Sequence, residues 1–239
     1  MPPKSYHRKL YEYIMEAIAL KILKGEYACE STLPNEDALC KEYQVSRGVL
    51  REATKVLTQK GLIQARPKVG TLVLPRSRWN LFDADVLTWK LQVDGKVEFL
   101  RKVTEVRCMI ESEAARYAAE RCGAEEIEAI KAPLEEMAAM LEGGDERAFD
   151  YDAYLEVDMA FHMAIMEASR NELLAQIGAT MRQAVLSARR LDIRNFEVLR
   201  ESVADHRGLL SAIEAGDGRG AYQASRHLFD EVWRYLPRD

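Results

Sequence analysis

Three of the four histidines of this chain fall in its second half, and one of them follows an aspartate at helical spacing. Asp158 and His162 are four residues apart, so a helix through both would present their side chains on one face. Carboxylate oxygens and imidazole nitrogens are ordinary ligands of zinc, nickel and manganese, and His206 and His227 could complete the set. Spacing cannot bring distant histidines together, so a surface pair or a hydrogen-bonded core pair remains open.

A second group of residues has the chemistry to bind a polyanion. Arg47 and Arg51 are also four residues apart, on the side of a predicted helix opposite its apolar residues. A guanidinium fork can bind guanine O6 and N7 or clamp a phosphate. The hydroxyl of Ser46, where the helix begins, suits a phosphate oxygen. Taken alone these are solvated charges, but the helices around them favour DNA contact.

A predicted hairpin follows this helix and carries more positive charge at its tip. Arg66 and Lys68 can reach the DNA backbone or the minor groove from there. Gly70 permits a tight turn because glycine tolerates positive φ angles. Helix, helix, short turn, helix and two-stranded ribbon is the order of a winged helix-turn-helix.

The elements that must position these groups divide the chain into two folds. We predict an N-terminal winged helix-turn-helix (α+β) over residues 1–75, a linker over 76–82 and an all-α antiparallel bundle over 83–239. The bundle would be the metal- and effector-binding domain, since no β-type alternation follows residue 75. The predicted helices span about 7–24, 36–43, 47–60, 83–93, 96–121, 124–142, 146–168, 171–193, 196–215 and 218–236.

Composition and charge narrow the function classes. The 239 residues are 48% apolar and 31% charged, without an apolar run of the ~18 residues that a membrane span needs. No apolar segment of the secretory type follows the N-terminus, and the four cysteines include no CxxC pair, so we expect a cytoplasmic chain with reduced thiols. The net charge of −5 separates into +6 for residues 1–78 and −11 for residues 79–239, which suggests two domains with different partners.

Several motifs of the first domain resemble the GntR family of bacterial regulators. That resemblance implies that Arg47, Arg51 and the wing region around Gly70 contact operator DNA. The chain departs from the family pattern at Asp37, where many relatives carry an arginine, and at Pro67 in the wing tip. The motifs are Leu-Pro-Asn-Glu at 33–36, Val-Ser-Arg-Gly-Val-Leu-Arg-Glu-Ala at 45–53, Lys-Gly-Leu-Ile at 60–63 and Gly-Thr-Leu-Val at 70–73.

The second domain resembles the helical FCD ligand-binding domain of the FadR subfamily. The resemblance implies that Asp158, His162, His206 and His227 ligate a divalent cation inside the bundle, with zinc favoured and nickel or manganese as alternatives. The matching segments are Asp-Met-Ala-Phe-His at 158–162, Asp-His-Arg-Gly-Leu-Leu-Ser-Ala-Ile at 205–213 and Arg-His-Leu at 226–228.

The same resemblance suggests where a small effector would bind. It implies that Arg107 faces the metal cavity and binds the carboxylate of the effector, although Arg107 is also placed to pair with Glu111 on a helix surface. Gln183 is our candidate for reading hydroxyl groups, within a polar stripe that could equally be a solvated face. The stripe consists of Gln176, Thr180, Gln183 and Ser187.

Residues 79–89, Trp-Asn-Leu-Phe-Asp-Ala-Asp-Val-Leu-Thr-Trp, are similar to the corresponding segment of D-galactonate repressors and other sugar-acid sensors. We therefore predict a homodimeric repressor of a sugar-acid operon that binds double-stranded operator DNA and is released by a small carboxylate. A sensor of another small carboxylate, such as a di- or hydroxy-acid, is an alternative. A metal-dependent hydrolase fused to a DNA-binding module is a second one, but the spacing selects no general base, so we predict no enzyme.

Overall fold

The structure, a computed structural model, describes residues 4–142, 149–188 and 196–235. The chain divides into two units, Met1–Gly95 and Lys96–Asp239. The first contains α1 (Lys4–Leu23), α2 (Glu36–Tyr43), α3 (Arg47–Gln59), β1 (Ile63–Arg66), β2 (Gly70–Val73), a 3₁₀ turn (Arg76–Arg78) and α4 (Ala84–Asp94). The second contains α5 (Lys96–Arg121), α6 (Ala124–Leu141), α7 (Tyr151–Ala168), α8 (Glu172–Ala188), α9 (Phe196–Glu214) and α10 (Gly218–Tyr235).

Local capping interactions explain why α2 and α3 begin where they do. The Asn35 side chain accepts a hydrogen bond from the Ala38 N–H, and the Ser46 hydroxyl accepts one from the Val49 N–H. These contacts satisfy backbone donors that a helix start leaves without partners. Gln44 ends α2 in the left-handed conformation, at φ 54°, so that α3 follows after a short turn. This is the helix-turn-helix that the sequence predicts.

The wing is an antiparallel hairpin of β1 and β2, with Ile63 opposite Val73 and Arg66 opposite Gly70. The sequence pattern predicts strands over 62–65 and 71–74, and both observed strands lie within one residue of these bounds. A single bridge between Thr32 and Leu72 ties the segment before α2 to the hairpin. Together with the helices, this confirms the winged helix-turn-helix. The apolar core of the unit is built from α1, α3, the wing and α4, and its fully buried members include Ile14, Ile18, Ile22, Leu50, Leu57, Leu62 and Ile63.

Residues 76–94 lie in the first unit, whereas our prediction assigned 76–82 to a linker and 83–93 to the bundle. The physical reason is a set of contacts that the sequence did not reveal. The Trp79 indole N–H donates to the Leu74 carbonyl, and Trp79 and Trp89 are both buried in the first core. Gly61, at φ 74°, allows the chain to pass so close that a Cβ there would lie 2.3 Å from the Arg78 carbonyl oxygen.

Lys60 fixes the start of α4 on this unit. Its ammonium lies 2.7 Å from Asp83 Oδ1, 2.8 Å from Asp85 Oδ2 and 5.7 Å from the centre of the Trp89 ring. Burial lowers the pKa of Lys60, but the hydrogen bonds to Asp83 and Asp85 outweigh it and raise the pKa above its usual value. Lys60 is therefore a charged side chain that is held almost completely buried.

We expect Lys60→Met to destabilise the first unit by about 2 kcal/mol, because it leaves the partly buried carboxylate of Asp83, and the exposed one of Asp85 beside it, without their cation. Urea unfolding followed by tryptophan fluorescence measures this, since Trp79 and Trp89 report on this core. Lys55→Met is the matched control, because Lys55 is exposed on α3, the helix that ends just before Lys60. Equal midpoints for the two variants would contradict the role given to Lys60.

The second unit is all helical over the residues that the structure describes, which confirms the predicted bundle. Helix α5 contacts α7, α8, α9 and α10, and α6 packs on α7 and α9. Its core includes Ile130, Met137, Phe161 and Ile165, all fully or almost fully buried. The predicted helix residues 146–148, 189–193 and 236 lie outside the described ranges. None of the described helices is long and apolar enough to cross a membrane.

Candidate metal centre and nucleic-acid interface

Three helices of the second unit bring five polar side chains together inside the bundle. Helix α5 provides Arg107 and Glu111, α7 provides Asp158 and His162, and α9 provides His206. The side chains of all but Asp158 are nine-tenths or more buried, and that of Asp158 is 17% exposed. Charged groups at this depth require partners, and each of the five has at least one among the others.

Glu111 joins an arginine to a histidine. It accepts a hydrogen bond from Arg107 Nε at 2.7 Å, and its other oxygen lies 2.8 Å from His162 Nδ1. A carboxylate can only accept, so Nδ1 carries the proton of His162. In the neutral imidazole the lone pair is then on Nε2, which lies 4.0 Å from Asp158 Oδ2.

His206 is oriented in a corresponding way from its own helix. Its Nδ1 donates to the Ser202 carbonyl oxygen at 2.6 Å, so the lone pair of the neutral ring is on Nε2. That nitrogen is buried, has no hydrogen-bond partner and lies 3.3 Å from Asp158 Oδ1. Two electron-pair donors facing one another in the interior are unfavourable unless a cation lies between them.

A divalent cation fits this donor set. The ligand atoms offered by Asp158, His162 and His206 all lie within 4.8 Å of one another. Each imidazole is held from behind by an acceptor, the Glu111 carboxylate or the Ser202 carbonyl, which is how metal-ligating histidines are usually oriented. Two imidazoles and one carboxylate suit zinc, nickel or manganese and leave coordination positions for a further ligand.

Both carboxylates of the cluster stay ionised despite their depth. Burial raises the pKa of Glu111, but the charge of Arg107 and the hydrogen bond from His162 outweigh it and hold the pKa at about 2. Burial likewise raises the pKa of Asp158, whereas a proton or other cation on the facing His206 Nε2, with the charges of His162 and Arg107, lowers the pKa to about 2. The two carboxylates are therefore held in the ionised form that can bind a cation.

The first unit presents the second candidate surface. Helix α3 buries Val49, Leu50, Ala53 and Leu57, which turns Arg47 and Arg51 outward. Both arginines are exposed and paired with acidic residues of α2: Arg47 Nη2 lies 2.7 Å from Asp37 Oδ1, and Arg51 Nε lies 2.9 Å from Glu36 Oε1. Ser46, whose hydroxyl is predicted to contact a DNA phosphate, also caps this helix.

The wing carries its predicted basic residues at an exposed tip. Arg66 ends β1, and its carbonyl accepts a hydrogen bond from the Val69 N–H across the turn. Lys68 adopts φ 63° and Gly70 adopts φ 112°, the second of which favours glycine over any other residue. Arg66, Lys68 and Gly70 are all exposed, so the structure leaves them accessible to a large partner.

Comparisons with known proteins identify the family. Residues 10–73 match the model described as bacterial regulatory proteins, gntR family, and residues 102–231 match the FCD domain. The chain is 32% identical over 226 residues to the galactonate operon transcriptional repressor of Escherichia coli (strain K12), which covers 93% of this chain and 95% of that protein. The chain belongs to the GntR family of bacterial regulators. It carries an FCD domain after its DNA-binding domain.

Other relatives agree with this assignment. The regulator is 33% identical over 222 residues to YieP of Escherichia coli (strain K12), an uncharacterized HTH-type transcriptional regulator, over 92% of this chain and 93% of that one. Two solved structures share the fold. Lar of Listeria monocytogenes has a TM-score of 0.63 and 17% identity, over 99% of this chain and 98% of that one. McbR/YncC of E. coli has a TM-score of 0.52 and 19% identity, over 95% of this chain and 96% of that one. The chain is therefore a DNA-binding transcriptional regulator, and its relatives do not support the alternative of a hydrolase.

The structure leaves two predicted site residues of the regulator outside the buried cluster. The side chain of His227 is 55% exposed, with Nε2 3.8 Å from Asp205 Oδ1. Helix α10 buries the next residue, Leu228, and successive helical residues point about 100° apart, which turns His227 toward solvent. Gln183 is exposed on α8, on a helix that buries Met181 and Ala184 instead. The side chain of Ser187 lies outside the described part of the chain.

Sequence reasoning missed two groups that orient the imidazoles. Glu111 was noticed only as an i+4 partner of Arg107 on a helix surface, whereas both side chains are buried and Glu111 also contacts His162. Ser202 acts through its carbonyl, so its side-chain type carried no signal, although it lies one turn before His206. Glu111 could have been recognised only from knowing that neighbouring helices bury the face of α5 that carries Arg107.

Proposed function

We propose that this regulator represses an operon for the breakdown of a sugar acid and that a small carboxylate effector releases it from its operator. The observation that carries the proposal is the buried group of Arg107, Glu111, Asp158, His162 and His206, in which the ligand atoms of Asp158, His162 and His206 lie within 4.8 Å of one another. The similarity to a galactonate operon repressor over nearly the whole chain supports a sugar acid as the effector class.

The charge of the cluster favours a carboxylate. With neutral imidazoles, the carboxylates of Glu111 and Asp158 and the guanidinium of Arg107 leave a single negative charge. A divalent cation held by Asp158, His162 and His206 would change that to a single positive charge. It would supply a Lewis acid to which one carboxylate oxygen can bind. A mono-anionic acid then neutralises a buried charge, which an uncharged sugar cannot do.

Arg107 is the residue we assign to the second anchor of the effector. Its Nε and Nη2 already donate to Glu111, at 2.7 and 3.4 Å, and its guanidinium lies 5.2 Å from the centre of the Phe229 ring. These contacts hold the guanidinium in one orientation beside the metal ligands. His227 and Gln183 are exposed, so we give them no direct role in holding the ion and keep Gln183 only as a hydroxyl-reading candidate.

On the DNA side, we propose that two copies of the regulator bind two half-sites of one operator. Helix-turn-helix dimers read half-sites about 34 Å apart, one turn of the double helix. Arg47 and Arg51 would contact bases or phosphates in the major groove, Ser46 a phosphate, and the wing around Gly70 the adjacent backbone or minor groove. The wing contacts come from Arg66 and Lys68. A mass near twice 27.2 kDa in light scattering coupled to gel filtration is the expected result.

Effector release requires that the effector bind the DNA-free arrangement more tightly than the DNA-bound one. The proposed metal ligands lie on α7 and α9, and the proposed second anchor of the effector, Arg107, lies on α5. An effector at this site would therefore connect three helices. That is a route by which a small acid can alter the second unit. The size of the release equals the ratio of the effector affinities of the two arrangements.

A thermal-shift screen tests the proposal directly. The purified regulator is heated with galactonate, gluconate and other sugar acids, with and without a chelator, and with galactose as the uncharged control. We expect a higher melting temperature with one or a few acids only when metal is present, because a ligand of the folded state stabilises it by mass action. The same acid should release the regulator from DNA in fluorescence anisotropy. No shift with any sugar acid, in protein shown to contain metal, would contradict the effector class.

Glu111→Gln is expected to lower the metal affinity about 10- to 100-fold, the usual effect of removing a group that orients a ligating histidine. The amide retains the size of the carboxylate but cannot accept from both Arg107 and His162 as an anion does. Competition with a chelating dye measures the affinity. Glu113→Gln on the same helix is the control, since Glu113 pairs with Arg116 near the surface. Equal metal affinities for the two variants would remove Glu111 from the site.

A further inference from the structure

The ion pair between Asp37 and Arg47 stands on the surface that we propose meets DNA. Asp37 is in the first turn of α2 and Arg47 is the first residue of α3, and their side chains are 72% and 64% exposed. The contact joins one oxygen of Asp37 to one terminal nitrogen of Arg47 at 2.7 Å. The neighbouring pair differs, because Glu36 accepts from both Nε and Nη2 of Arg51 and its side chain is only 37% exposed.

The ion pair gives only a small stability reason for a carboxylate there, and Glu36 already provides a negative charge at the same helix start. Exposed ion pairs contribute little to folding, since solvent screens them and two side chains must be ordered. On a surface that meets a polyanion, a carboxylate also weakens binding by repelling phosphates. Asp37 is therefore unfavourable for binding unless it meets a hydrogen-bond donor on the DNA.

The major groove offers few such donors. Cytosine N4 and adenine N6 present amino hydrogens there, whereas guanine O6 and N7 and thymine O4 present only lone pairs. An ionised carboxylate has no hydrogen to donate. Asp37 can thus accept from an amino base and is repelled by a keto base. Each base pair has one amino and one keto partner in the major groove, so the carboxylate also distinguishes the two orientations of a pair.

We propose that Asp37 is a specificity-determining residue that requires cytosine or adenine at one operator position, beside the base contacted by Arg47. The ion pair holds the carboxylate next to the guanidinium, so acceptor and donor are presented together as one reading unit. Arg47 provides donors for guanine, and Asp37 provides the acceptor for an adjacent amino base. This inference rests on the DNA interface proposed above.

The first experiment is selection of duplexes from a randomised library by the full-length protein, its Asp37→Ala and Asp37→Asn variants, and Glu26→Gln. Glu26 is exposed in the turn after α1, so Glu26→Gln controls for the loss of one negative charge. The unmodified protein and the control should select one motif in which a position in each half-site prefers an amino base. Asp37→Ala should lose that preference alone. Asp37→Asn should accept keto bases there, because an amide both donates and accepts.

The second experiment measures affinities for two duplexes, the selected one and one with the keto base exchanged into that position. The unmodified protein should discriminate between them about 5- to 100-fold, the range for a good base contact. Asp37→Ala should not discriminate between them. A uniform gain in affinity of Asp37→Ala for both duplexes, with an unchanged motif, would overturn the inference and reduce Asp37 to a repulsive charge.

The two levels of proposal fail in different ways. If the unmodified protein selects no motif, the proposed interface itself fails. If it selects a motif that Arg47→Ala loses and Asp37→Ala retains, the interface stands and the role of Asp37 is wrong. The Asp37 carboxylate lies in the first turn of α2, where a negative charge interacts favourably with the helix dipole. Thermal melting of each variant therefore tests whether its loss unfolds the unit.

Discussion

Replacing His206 by alanine is expected to lower the affinity of the regulator for a divalent metal at least about 100-fold, since loss of a ligand exceeds the effect of losing an orienting group. His206 Nε2 is the buried nitrogen that faces Asp158 without a hydrogen-bond partner. His227→Ala should leave the affinity unchanged, because His227 is turned toward solvent and Asp205. The two histidines are equally plausible ligands in the sequence, so this pair of variants tests what the structure adds.

Metal content by mass spectrometry and competition with a chelating dye are the two measurements. His206→Ala leaves a cavity in the core, so His206→Asn, which keeps a polar side chain near the original size, accompanies it. Circular dichroism in the presence of chelator establishes that each variant is folded before metal is added. Metal loss in His227→Ala, with metal retained in His206→Asn, would reverse the assignment of the ligands.

Arg47→Ala is expected to lower the affinity for the selected operator about 100-fold or more. A bidentate contact from arginine to guanine contributes about 1–3 kcal/mol, and a dimer on two half-sites would lose it twice. Arg47→Lys retains the positive charge but not the planar fork. It should therefore keep binding to unrelated DNA while losing preference for the operator.

Fluorescence anisotropy at two salt concentrations checks this second prediction, because the phosphate contribution to affinity falls with salt and the base contribution does not. Arg219→Ala, an exposed arginine of the second unit, controls for the loss of one positive charge. Metal content should be the same in all three variants. An operator affinity of Arg47→Ala equal to that of the control would exclude this helix face from the interface.

Some features of this protein follow from local sequence. Capping residues such as Asn35 and Ser46 and the apolar face of α3 depend on neighbours within a few positions, so the helix-turn-helix and the outward direction of Arg47 and Arg51 were predictable. The i+4 spacing of Asp158 and His162 likewise placed both on one face of α7. These predictions succeed because helix geometry alone connects the residues.

The domain boundary was not predictable in this way. Residues 76–94 read as a linker and a bundle helix, but Lys60 and Asp83, 23 positions apart, hold them on the first unit. The pairing of a buried lysine with two aspartates is a tertiary contact, and the residue pattern of neither segment predicts it.

By itself, the sequence determined the order of the elements, the outward face of α3 that carries Arg47 and Arg51, and the pairing of Asp158 with His162 on one face of α7, because each rests on spacing within one helix or turn. Only the tertiary structure decided that His206 joins Asp158 and His162 while His227 does not. It also decided that Glu111 is an interior group which orients His162 and Arg107. The reason is that a ligand set from several helices depends on the rotation of each helix about its own axis, and neighbouring residues on one helix differ in direction by about 100°. That rotation is set by packing between distant segments.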